Sequence, residues 1–158
     1  MDAELDGLIR RLNETAPLSR ERSSDIYRAH TEQMIQKAIA MADEINTAKE
    51  LGDFMKAERP DLSILNQPEA EFRAELRSID NDLSRQIEIV HEGLDHWFAT
   101  GLIVPPYYAW RIAIILSKAK REDEERAFLA AWCRHFGRVV GGRFAKLAER
   151  ARKRGVVV

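Results

Sequence analysis

The sequence predicts an all-α chain, and three observations carry that prediction. Apolar residues recur three and four apart through nearly the whole length, which places them on one face of successive helices. Only 8 glycines and 5 prolines interrupt 158 residues, so the regular elements are long. Prolines and candidate capping residues then fall at the ends of most of the periodic runs. The expected architecture is a long antiparallel helical hairpin, coiled-coil-like, which C-terminal helices complete into a helical bundle. One domain, 1–158, would hold an acidic N-terminal helix and the hairpin in 1–103, then an apolar helix and a basic helix in 104–158.

Residues 2–14 carry Leu5, Leu8, Ile9 and Leu12 on one stripe, and Pro17 follows the end of that helix. Ser23, Ser24 or Asp25 could cap a second helix that runs to about Arg59, where Pro60 stops it. Its seam is Tyr27, Met34, Ala38, Met41, Ile45, Ala48 and Met55, spaced 4-3-4-3-4-3 from Met34 once Gly52 fills one place. Ile35, Ile39 and Ala42 lie off that seam, so this helix is apolar on two sides and suits a sandwiched position or a homodimer. The next helix is expected from Pro68 to Thr100, stopped by Gly101. Its seam runs Phe72, Leu76, Ile79, Leu83, Ile87, Val90, Leu94 and Trp97, with one 4-4 step at Leu83. Pro105 and Pro106 open a fourth helix that is apolar almost all round and therefore buried. A fifth starts at the acidic cluster 121–126 and continues through Phe128, Trp132, Phe136, Phe144, Leu147 and Ala151, kinked or divided at Gly141-Gly142.

A net charge of −1 conceals a polarity. Residues 1–117 carry 13 Lys/Arg against 21 Asp/Glu, and residues 118–158 carry 12 against 5. Arg138, Arg143, Lys146, Arg150, Arg152, Lys153 and Arg154 make the last helix a candidate surface for an acidic protein or a nucleic acid. They equally suit a helix C-terminus, where cations oppose the macrodipole. No run approaches the ~18 apolar residues of a membrane span, the N-terminus lacks a signal-peptide layout, and cytoplasm is the expected compartment. The lone cysteine, Cys133, excludes an internal disulfide and reads as a core thiol.

HEGLDHWF (91–98) invites a metal reading. HExxH binds zinc because histidines four apart share a helix face, whereas His91 and His96 are five apart and about 140° apart around the axis. Glu88 and His91 match the Glu-x-x-His spacing of di-iron bundles, which need it twice; here it occurs once. His30, His91, His96 and His135 could form a site only by tertiary assembly. Glu50, Asp53, Glu92 and Asp95 form two Glu-x-x-Asp pairs on consecutive long helices, a carboxylate set of the kind that can hold Mg²⁺. The tetrapeptide ELGD (50–53) resembles half of the acidic signature of MazG-like nucleotide pyrophosphohydrolases, which would imply Mg²⁺-dependent hydrolysis. That resemblance covers four residues, and the family's upstream Glu-x-x-Glu pair has no counterpart at a suitable place. About four i, i+3 acid pairs arise by chance at this composition, and four occur. The expected function is therefore non-catalytic: a cytoplasmic interaction, adaptor or regulatory module, dimeric, without a cofactor.

Overall fold

The computed structural model describes residues 2–42 and 69–158. The described residues form seven α-helices and no strand: α1 (Ala3–Glu14), α2 (Arg20–Ala40), α3 (Glu69–Ile79), α4 (Leu83–Thr100), α5 (Pro106–Lys118), α6 (Glu122–Phe136) and α7 (Gly142–Lys153). None of them is long and apolar enough to cross a membrane. The chain groups into two compact units. The first comprises Met1–Leu18, Arg77–His91 and Pro105–Val158; the second comprises Ser19–Leu76 and Glu92–Val104.

In the first unit, α1 begins where the Asp2 carboxylate accepts the amides of Glu4 and Leu5. It buries Leu5, Leu8, Ile9 and Leu12, the stripe read from the sequence. α5 starts with Pro106, whose missing N–H costs nothing in a first turn, and buries Tyr108, Ala109, Ile112, Ala113 and Leu116. α6 packs on α1, α5 and α7. Trp132 is the centre of that packing, with Phe136 at 4.5 Å between ring centroids, Phe128 at 6.4 Å and Phe144 stacked at 6.4 Å. At Gly141-Gly142 the helix divides: both glycines take positive φ, +87° and +53°, which α6 and α7 cannot share as one continuous helix.

One sequence expectation fails in this unit. The helix expected over 68–100 is two helices, broken at Asp80-Asn81-Asp82. The Asp82 side chain accepts the Arg85 amide at 3.0 Å and so caps α4. The α3 end is satisfied as well: Gln86 Nε2 donates to Ile79 O at 2.9 Å, and Arg111 donates twice to Asp80 O, at 3.0 and 2.8 Å. The 4-4 step of the apolar seam falls beside this break.

In the second unit, α2 is capped by Ser19, whose Oγ accepts the Arg22 amide at 3.0 Å. The cap therefore precedes Ser23, Ser24 and Asp25. Ser23 lies inside the first turn and donates its hydroxyl to Arg20 O instead. Gly101 ends α4 with φ +71°. A Cβ there would lie 2.9 Å from Tyr27 N and closer still to Ser23 O, so both the conformation and the α2 backbone require glycine. Gly93, inside α4, is needed for a different reason. A Cβ there would come within 2.8 Å of Val104 Cγ1, and Val104 is itself buried. The helix expected to run unbroken to Arg59 instead ends at Ala40, with Met41 as its C-cap; the seam positions from Ile45 to Met55 lie outside the described residues.

Candidate interaction sites

α2 runs for 21 residues and buries only Met34 fully. Its outward side carries Tyr27, Ile35 and Ile39, exposed by 46, 53 and 63%. Past Gly101 the chain adds Ile103, also exposed, and Tyr27, Ile35 and Ile103 border a groove of about 800 Å³. Arg28 and Glu32 sit in the groove wall, and Asp25 makes a long contact of 3.9 Å with Arg28. Such a surface binds by apolar burial, with polar residues at its rim fixing orientation.

The basic helix α7 sorts its cations onto two flanks. Arg143 lies over the Tyr107 ring at 5.0 Å. Arg150 pairs with Glu125 and approaches the Trp110 ring at 5.9 Å, and Arg154 reaches Glu125 Oε2 at 2.9 Å and Glu122 at 3.4 Å. Glu125 is fully buried, and two guanidiniums lie against its carboxylate oxygens. Three of the seven basic residues picked from the sequence thus clip α7 to α5 and α6. Arg138, Lys146, Arg152 and Lys153 are exposed, and Lys153 pairs with Glu149 along the helix at 3.3 Å.

The other candidate groups do not assemble among the described residues. Among the described residues no three of His, Cys, Asp and Glu gather where they could hold a metal. Glu50 and Asp53 lie outside the described residues; Glu92 is half-buried and Asp95 exposed. His91 accepts a hydrogen bond on Nδ1 from Arg11 at 3.0 Å, which sets its neutral Nε2–H tautomer. His135 donates from Nε2 to Leu12 O at 2.7 Å, and burial lowers its pKa. His96 lies 6.3 Å from the His30 ring, edge to face, and is only 6% exposed. Off the apolar seam by spacing, His96 is nonetheless buried, because α4 is covered around much of its circumference at Gly93, Leu94, His96 and Trp97. Burial also pushes the Cys133 thiol up to about 11, so little thiolate exists at neutral pH.

No family model, curated protein or solved structure matches the chain. The site must therefore be read from its own residues. Sequence reasoning missed Ile103 and Val140 as surface groups, and Val139 as half-buried beside Val140. Ile103 stands two residues past a glycine helix stop, which is a signal for a loop. Val139 and Val140 fitted the helical stripe and gave none.

Proposed function

We propose that the protein is a non-catalytic, cytoplasmic helical interaction module that self-associates through the outer face of α2. The observation that carries this reading is the exposure of Tyr27, Ile35 and Ile103 around one groove, with Ile39 exposed one turn further along α2. The occupant best suited to it is a second copy of the chain. Arg28 and Glu32 stand four residues apart on the same wall, so the face is complementary in charge to its own twofold image. An antiparallel crossing near Thr31 sets Tyr27 opposite the partner subunit's Ile35 and Arg28 beside the partner subunit's Glu32.

Native mass spectrometry with sedimentation velocity tests the reading. A dimer is expected for the wild type, and a monomer for Ile35→Asp combined with Ile39→Asp. Arg28→Glu alone should weaken the dimer, and adding Glu32→Arg should restore it, since the swap preserves complementarity. A wild-type monomer at micromolar concentration, or a dimer indifferent to all four substitutions, would sink the proposal.

A further inference from the structure

We infer that a second groove, between the end of α6 and the outer flank of α7, binds an acidic peptide segment bearing an apolar side chain. This inference rests on reading the protein as an interaction module, but not on the pairing of α2.

The groove has a volume of about 480 Å³, with Val139, Ala145, Ala148 and Val158 as apolar lining and Arg138 and Arg152 at its edges. Its apolar wall is built by the chain itself. Gly155 takes φ +80°, and Val156 N bonds Ala151 O at 2.9 Å, which turns the residues after α7 back along it. Val158 then approaches Gly137 so closely that a Cβ there would lie 3.0 Å from its Cγ1. Beside this wall Val140 is 89% exposed.

Charge identifies the occupant. Arg152 stands two positions from both Arg150 and Arg154, which turns it about 160° away from them around the helix. Arg150 and Arg154 face Glu125, and Arg143 covers Tyr107 on their flank. Arg152 and Arg138 are both exposed at the groove, and no Asp or Glu side chain lines it. Apolar lining between two cations is complementary to a carboxylate-rich segment with an aliphatic side chain at its centre. A nucleic acid fits less well. No aromatic residue lines the groove to stack a base, and the arginines of the other flank are not aligned with it to follow a phosphate backbone.

The test uses full-length protein and fluorescence anisotropy at low salt, with three probes. One is a peptide of about 12 residues with leucines set among Asp and Glu. The others are a poly-glutamate peptide of equal charge and single-stranded oligo-dT. The leucine-containing peptide should bind most tightly. Arg138→Glu with Arg152→Glu should weaken it by about tenfold or more, as loss of both flanking charges demands. Val139→Asp should weaken it too, through the lining. Lys146→Glu with Lys153→Glu changes net charge equally but away from the groove, and should leave binding within about twofold. Ile35→Asp should bind as the wild type does, which separates this site from the α2 face. Equal binding of poly-glutamate or of oligo-dT, equal loss in the Lys146/Lys153 variant, or no peptide binding would each overturn the inference. Circular dichroism of every variant checks that the exposed substitutions leave the helices intact.

Discussion

α6 and α2 are both long helices, yet they are used in opposite ways. α6 buries Phe128, Leu129, Ala131, Trp132 and Phe136, and even draws a carboxylate, Glu125, out of solvent. α2 is longer and buries one residue, Met34, while two isoleucines and a tyrosine stay exposed. Helices in proteins are held mainly by burial of an apolar face, not by propensity. The first unit therefore contains its own reasons for folding, whereas α2 retains apolar surface that another molecule could bury. Substitutions in the two helices should separate along the same line: those in α6 read out in stability, and those in α2 in association.

The largest effect is expected from Trp132→Ala. It removes the ring against which Phe128, Phe136 and Phe144 pack and leaves a cavity in a closed core, at a cost of about 3–5 kcal/mol. Urea denaturation measures it; a loss below about 1 kcal/mol would remove the contrast between the helices. Glu125→Ala comes next, at about 2–3 kcal/mol. Breaking a buried pair usually costs more, but Arg150 and Arg154 are 22 and 27% exposed and can be partly rehydrated. Glu125→Gln should recover only part of the loss, since its one carbonyl oxygen can accept from one guanidinium while its NH2 faces the other. In the second unit, Gly101→Ala should cost about 1–3 kcal/mol, since it meets a positive φ and the α2 backbone together.

These predictions rest on features the sequence disclosed unevenly. The α1 stripe, the Pro106 start and the Gly101 stop were legible because each is a local rule: periodicity, a missing N–H, a positive φ. The break at Asp80–Asp82 was legible only in part. The seam slipped by one step there, but the capping value of Asp82 depends on Gln86 and Arg111 arriving to satisfy the α3 carbonyls. Tertiary partners also decided the burial of His96 and the inward turn of Arg150 and Arg154, neither of which follows from spacing. For the basic helix the sequence offered seven candidate residues but could not sort them, because flank identity depends on where Glu125 and Tyr107 stand.

A smaller effect concerns pH. Burial holds the His135 pKa below its usual 6.5, so the folded chain keeps a neutral ring that donates to Leu12 O. The unfolded chain binds that proton first. The stabilisation is fully present above pH 6.5 and is lost as pH falls from there through the folded value. Urea midpoints taken above and below this window should therefore diverge, and the divergence should shrink in His135→Asn. An equal pH slope in the variant would assign the effect to other groups.

The smallest change in monomer stability is expected from Ile35→Asp, and that smallness tests the comparison most directly. Ile35 is 53% exposed on α2, so folding of the isolated chain gains little from it, and an aspartate there loses little solvation. The shift in urea midpoint, measured at a concentration where the wild type is dissociated, should lie within about 0.5 kcal/mol. At higher concentration the wild type should gain stability by mass action as copies pair, and Ile35→Asp should not. The wild-type midpoint would then climb with concentration while the variant's stays flat. A loss of several kcal/mol at all concentrations would instead mean that Ile35 supports the fold of its own chain, and α2 would no longer differ from α6 in kind.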